Sequence, residues 1–182
     1  MDDSEIVARC LAGDREAFEM IVDKYQAGVL TLAWCVLGNR AEAEDAAQDA
    51  FFRAFMNLPT FDRTKGFKSW LYAIAYKRSL DRIKREKIER KYRSRMAEAK
   101  AQDSSDLDTE RRMAQTAVIN PLLERLGLKE RLALSLSINE GYTAAETAEI
   151  LHCAESTARV YVFNAKRKLR KWLEGNPHVQ NL

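Results

Sequence analysis

The chain reads as an all-α protein of two small helical domains joined by a flexible acidic linker, the second domain containing a helix-turn-helix. Three observations predict this. Apolar residues recur at three- and four-residue spacing through most of the sequence. The three prolines and seven glycines fall between those patterns, and no alternating β-branched run bounded by turn signals marks a strand. Finally, the stretch AEAKAQDSSDLDT (97–109) holds almost no large apolar residue. Such a segment buries too little surface to offset its ordering entropy. The expected domains are residues 1–95 and 111–182, with residues 96–110 as linker.

A first short helix spans about Ser4–Ala12 and closes at Gly13. Asp14 is a plausible N-cap for the next, whose stripe is Phe18, Ile21, Val22, Tyr25, Val29 and Leu32, ending at Gly38. Asn39 with Glu42 three residues on resembles a capping box. The third helix then buries Ala43, Ala47, Ala50, Phe51, Ala54, Phe55 and Leu58 and stops at Pro59. Its other face shows Glu42, Glu44, Asp45, Gln48, Asp49 and Arg53. One helix face rarely encloses a cation and no His accompanies these carboxylates, so a protein-binding or solvated acidic face is expected, and no metal.

The stretch from Phe61 to Arg95 begins as a short basic loop and becomes an aromatic-rich helix. Between Lys77 and Arg95 ten Lys and Arg stand against three acids. Cations beside rings suit phosphates and unstacked bases, although a solvated helix with Trp70, Leu71 and Ile74 in a core reads equally well from these residues alone.

In the second half a helix runs from about Glu110 to Asn120, and Pro121 starts another with Leu122, Leu123, Leu126 and Leu128 apolar. Leu132, Leu134, Leu136 and Ile138 follow, then the turn Glu140-Gly141-Tyr142. Thr143 and Glu146 form a capping box before a short helix with Ala144, Ala148, Ile150 and Leu151 inward. After His152-Cys153-Ala154 comes a longer helix rich in Lys and Arg. Short helix, tight turn and basic helix is the arrangement that lays its second helix in a DNA major groove.

The net charge of +3 conceals segregation: −7 over residues 1–62, +10 over 63–95, −4 over 96–110 and +4 over 111–182. Blocks of opposite sign suggest nucleic acid for the basic parts and a protein for the acidic one. The three cysteines are far apart and form no CxxC, which fits reduced thiols. No signal peptide is expected at MDDSEIVARC, and no apolar run approaches the length needed to span a membrane, so a cytoplasmic protein without membrane insertion is expected. No Ser/His/Asp set or phosphate loop is visible; neither catalysis nor a cofactor is expected.

Four blocks in order, GDREAFEMIVDKY, AEDAAQDAFFRAF, FKSWLYAIAYKRSLDRIKR and YTAAETAEILHCAESTARVYVFNAKRKLRKWL, resemble the extracytoplasmic-function (ECF) group of the sigma-70 family. The likeness covers about Asp14–Arg85 and Leu122–Leu173. It implies an alternative sigma factor, not an enzyme, that takes core RNA polymerase to promoters by recognising minus-10 and minus-35 elements.

By this resemblance Asp45, Gln48, Asp49, Phe52 and Arg53 contact the β′ coiled coil of the polymerase, whose β subunit is a further partner. The loop Phe61–Gly66, with Asp62, Arg63, Thr64 and Lys65, captures a flipped minus-10 base. Arg63, Lys65, Lys77, Arg78 and Arg82 contact the DNA backbone, with Tyr72 and Tyr76 as weaker stacking candidates and Trp70 packed in the core. Ser156, Thr157, Arg159, Val160, Phe163, Asn164, Lys166 and Arg167 meet the minus-35 element.

Many relatives carry Asn where this chain has Lys77 and Arg where it has Asn164, which implies a different promoter consensus. Members are commonly held inactive by an anti-sigma factor, so one is an expected partner here. No long C-terminal extension follows the last block, and regulation through one is not expected. A decoy that only titrates an anti-sigma protein would not need the basic helices. A dimeric helix-turn-helix repressor would leave the first hundred residues without a role.

Overall fold

The structure, a computed structural model, describes residues 2–98 and 126–175. Among these residues there are seven α-helices, one short 3-10 turn and no strand. The acidic stretch expected to be a linker lies mostly outside the described residues, as does the helix expected from about Glu110.

Helix α1 (Asp3–Leu11) starts at Asp2, whose carboxylate accepts from the Asp3 amide, and the chain turns at Gly13, φ +99°. Helix α2 runs Ala17–Leu37 with Glu16, not the expected Asp14, at its N-cap; Asp14 still serves the first turn, its Oδ1 accepting from the Ala17 amide at 3.1 Å. Gly38 closes α2 in the left-handed region at φ +68°, which costs a glycine little. Asn39 Oδ1 accepts from the Glu42 amide at 3.1 Å and opens α3 (Arg40–Asn57). Only that half of the expected capping box forms, because Arg82 occupies the Glu42 carboxylate. The chain then makes the 3-10 turn Leu58–Thr60 around Pro59.

Helix α2 is the centre of the molecule, packed by α1, α3, α4 (Phe67–Glu98) and α5 (Leu128–Asn139). By length and composition α2 is long and apolar enough to cross a membrane, contrary to the sequence expectation. Here its apolar positions Phe18, Ile21, Tyr25, Val29, Leu32 and Val36 are buried against other helices. Five buried alanines of α3 (Ala43, Ala46, Ala47, Ala50, Ala54) let that helix lie close to its neighbours. Phe55, expected inside, sits at the rim at 36 % exposure, its ring centre 5.1 Å from that of Phe18 in an edge-on arrangement.

The second half consists of α5, α6 (Ala144–Leu151) and α7 (Glu155–Glu174). Thr143 and Glu146 form the full capping box: the Thr143 amide donates to Glu146 Oε2 at 2.8 Å and the Glu146 amide to Thr143 Oγ1 at 3.2 Å. Ile138, expected in the core, is exposed because Leu132, Ala133, Leu134 and Leu136 already fill the inner side of α5.

The two halves share one contiguous core. Leu71, Tyr72, Ala75 and Tyr76 of α4 meet Leu132, Leu136, Tyr142, Ile150 and Leu151 in it. Burial of a large apolar side chain stabilises by about 1.5–3 kcal/mol, so this seam is a substantial part of the packing. Polar contacts reinforce it: Arg131 donates to the Cys35 carbonyl at 2.8 Å, and Lys68 Nζ to the Glu140 carbonyl at 2.9 Å.

Candidate protein and nucleic-acid interfaces

On α3 the residues at 45, 48, 49, 52 and 53 recur at helical spacing, and the fold places them on one outward face. Asp45, Gln48, Phe52 and Arg53 are exposed and Asp49 is half-buried. Phe52 is 63 % exposed, and Met56, one turn on at 60 %, extends the same stripe. Met56 was not singled out in the sequence, though its spacing of four from Phe52 is a usable signal. The face is therefore acidic at one end and apolar at the other, a composition suited to a protein partner.

Those carboxylates are already engaged. Arg82 reaches across from α4 to Glu42 at 2.7 Å and Asp45 at 2.9 Å. Arg78 lies 3.9 Å from Asp49 and also pairs with Asp81, while Arg53 bonds Asp49 at 3.1 Å. A cleft of about 260 Å³ between α3 and α4 is lined by Asp49, Arg53, Arg78, Asp81, Arg82 and Arg85. Arg78 and Arg82, assigned to DNA from the sequence, thus face the acidic side of α3. The pattern of α4 alone does not reveal this, since the partners are about forty residues away.

The loop before α4 is held by an Asx turn. Asp62 Oδ1 accepts from the Thr64 amide at 3.0 Å and from its hydroxyl at 2.7 Å. The Thr64 hydroxyl and amide hold the Asp62 carboxyl below its ordinary range. Arg63, Thr64 and Lys65 are exposed at the tip. Underneath, Phe61, Phe67 and Trp70 form a ring cluster with centres 4.9–5.6 Å apart. Trp70 is thus half-buried and packs against the core.

Lys77 is exposed on α4, but Tyr72 and Tyr76 are not available for stacking. They are 1 % and 3 % exposed, because they lie on the side of α4 that α2 and the second half cover. Burial first, and then the hydrogen bond to Glu140, pushes the Tyr72 hydroxyl above its ordinary pKa.

In the second half α6, a tight turn and α7 form the helix-turn-helix. His152 turns the chain at φ +50°, a conformation that is uncommon outside glycine. Ser156, Arg159, Val160, Phe163, Lys166 and Arg167 are exposed along α7, and Thr157 and Asn164 are half-buried beside them. The opposite side is fixed by the buried Ala158 and Ala165. All eight residues assigned to this surface therefore sit on or flank one outward face. Arg159 is held by Glu155, its Nε donating at 3.1 Å. Among the described residues no group of three or more His, Cys, Asp or Glu is placed to hold a metal.

Comparison with known proteins gives the same two-part division. Residues 21–88 match the family model of sigma-70 region 2, and residues 119–169 that of sigma-70 region 4. The chain is 31 % identical over 170 residues to the ECF RNA polymerase sigma factor SigW of Bacillus subtilis, spanning 88 % of this chain and 91 % of the relative. It is 29 % identical to the RNA polymerase sigma-H factor of Pseudomonas aeruginosa, over 94 % of each.

Among solved structures, CnrH in complex with the cytosolic domain of CnrY shares the fold. The TM-score is 0.68 at 19 % identity, over 96 % of this chain and 98 % of that one. Sequence blocks, helix-turn-helix and relatives agree: the chain belongs to the extracytoplasmic-function group of RNA polymerase sigma factors.

Proposed function

We propose that this chain docks on core RNA polymerase through the outer face of α3 and directs it to promoters. The loop 61–66 and Lys77 engage the minus-10 element, and α7 engages the minus-35 element. The observation that carries the reading is the outward face of α7. Eight residues assigned to DNA line one side of the second helix of a capped helix-turn-helix, four of them Arg, Lys or Asn. Cations there neutralise phosphates, and side chains between them reach base edges.

The protein partner is the polymerase β′ coiled coil, with the β subunit beside it; Asp45, Gln48, Asp49, Phe52 and Arg53 supply the contacts. The chain carries no catalysis of its own and works where polymerase and chromosome are, in the cytoplasm. An anti-sigma factor is the proposed regulator. A sigma factor RpoE has been solved with the anti-sigma factor NepR from Bartonella quintana, and its fold resembles this one at a TM-score of 0.62.

Run-off transcription by core polymerase plus the purified chain, on a library randomised at both elements, tests the reading. A selected pair of elements is expected. Transcripts that do not depend on the added chain would refute it.

A further inference from the structure

Helix α4 runs on past the part that the core holds. From Lys87 to Arg93 every residue is exposed, and the match to sigma-70 region 2 ends at residue 88. A short helical stretch without packing is marginal in water. Two ion pairs sustain this one, Arg90 with Glu86 at 2.9 Å and Arg93 with Glu89 at 3.3 Å.

The charges of this stretch are sorted by side. With 3.6 residues per turn, Glu86 and Glu89 fall on the side of α4 that carries Arg82. There they line a cleft shared with Leu37, Asn39 and Glu42. The opposite side holds Lys77, Lys84, Lys87 and Lys91 at spacings of seven, three and four, all exposed. Asp81 borders this stripe, but it pairs with Arg78 and lies 3.9 Å from Lys84 Nζ.

A row of lysines with the glutamates turned away is a surface for a polyanion. Protein interfaces are depleted of lysine and are built around an apolar core. Here Ile88 and Tyr92, 67 % and 68 % exposed, lie along the stripe, too small an apolar area for such a core. The DNA backbone offers a phosphate to each ammonium, and a tyrosine hydroxyl is a common donor to it. From Lys77 to Lys91 the stripe is about 21 Å long at 1.5 Å per residue. That length matches about six base pairs of duplex.

We infer that Lys84, Lys87 and Lys91 extend the contact of Lys77 and hold phosphates of the duplex between the minus-10 and minus-35 elements. This rests on the reading of loop 61–66 and Lys77 as the minus-10 surface, and adds a site that reads no sequence. The placement follows from the direction of the chain. Helix α4 begins at that loop and leads away from it toward the half that carries α7. The ammonium groups act as point charges, so the stripe supplies affinity and salt dependence but no consensus base.

The test compares holoenzymes made from core polymerase with the full chain or with Lys84→Gln/Lys87→Gln/Lys91→Gln, which keeps Lys77. The promoter is one selected by the unaltered holoenzyme from a randomised library. Glutamine and lysine have similar helix propensities, so the variant is expected to stay folded and to bind core polymerase normally. Each phosphate contact adds about 0.9 to the slope of log affinity against log salt. Between about 50 and 200 mM salt the unaltered holoenzyme should therefore lose roughly 40-fold more affinity than the variant. In a second arm, uncharged methylphosphonates replace the backbone phosphates of the six base pairs next to the minus-10 element. They should weaken the unaltered holoenzyme several-fold and leave the variant unaffected.

Equal salt slopes for the two chains overturn the proposal. So does a slope difference that persists on the methylphosphonate duplex, since the lysines would then meet charge elsewhere. Weaker binding of the variant to core polymerase itself, with the slope unchanged, assigns the stripe to a protein surface and overturns it too. If the library yields no minus-10 sequence, the underlying reading of the loop and Lys77 falls instead.

Discussion

The hydroxyl of Tyr72, on α4, donates a 2.8 Å hydrogen bond to Oε2 of Glu140, 68 residues further along the chain. Around this bond the Tyr142 ring lies edge-on at 5.3 Å and Lys68 Nζ sits 4.2 Å from the Tyr142 ring centre. The arrangement depends on Gly28 of α2. A Cβ there would stand 1.8 Å from the Tyr72 hydroxyl and 2.8 Å from Glu140 Oε1.

Gly28→Leu should therefore part the two halves. An alanine normally favours a helix interior by up to about 1 kcal/mol over glycine, but no side chain fits at this contact. Energy transfer between dyes placed at exposed Met56 and Lys166 reads the separation. A longer distance in the variant is expected, whereas an unchanged one would show that Tyr72 and Glu140 do not hold the seam.

The same seam sets a pH dependence. Tyr72 and Tyr142 are both raised above the ordinary tyrosine value, burial being the largest cause in each. Unfolded tyrosine ionises near pH 10. With the folded value higher, the folded protein holds more protons above that pH, so stability is fully present below about pH 10 and falls as pH rises beyond it. Phenolate absorbance of these tyrosines should appear together with loss of helix in an alkaline titration. A phenolate signal from Tyr72 in a fully helical protein, isolated by comparison with Tyr72→Phe, would contradict the burial.

The periodic helices and their caps were legible in the sequence because they depend on neighbours three and four residues away. The outward residues of α7 came from the family resemblance, whereas Thr143 with Glu146, and Asn39 with Glu42, follow from such spacing. Tyr72 and Tyr76 did not, since their burial is caused by α2, Tyr142 and the second half, which only tertiary packing brings near. Arg82 is a second case: a cation on a basic helix reads as a phosphate contact until Glu42 and Asp45 are found opposite it. Val160 and Phe163, assigned to DNA by the resemblance, stay outside because Ala158 and Ala165 occupy the buried side.

Lys77 and Arg82 should therefore behave differently when replaced by alanine. Among the described residues exposed Lys77 has no carboxylate partner, and its loss is expected to weaken promoter opening and to reduce the salt slope by about one. Arg82→Ala frees Glu42 and Asp45 on the docking face, at a stability cost of no more than about 1 kcal/mol for such solvent-accessible pairs. Its main effect is expected in core polymerase binding, measured by titration with labelled chain. Equal losses of promoter opening at low and high salt in both variants would overturn this division.

Asn164→Arg changes the hydrogen-bonding code of α7. An amide suits the N6/N7 edge of adenine and a guanidinium the O6/N7 edge of guanine, each pair being worth about 1–3 kcal/mol of discrimination. Repeating the minus-35 selection with the variant should exchange adenine for guanine at one position. The same selected sequence with both chains would remove Asn164 from base readout.

Thr143→Ala tests how far DNA recognition depends on the turn in front of α7. The change removes the acceptor for the Glu146 amide and the hydroxyl that donates to Glu146 Oε2 at 2.7 Å. Loss of an N-cap costs about 1 kcal/mol. Helix α6 packs on both α4 and α7, so fraying at its start loosens the seam and the recognition helix together. A lower thermal midpoint is expected, with weaker minus-35 discrimination and unchanged affinity for core polymerase, because the α3 face lies in the other half. If core binding fell in parallel with discrimination, the two surfaces would be coupled through the seam.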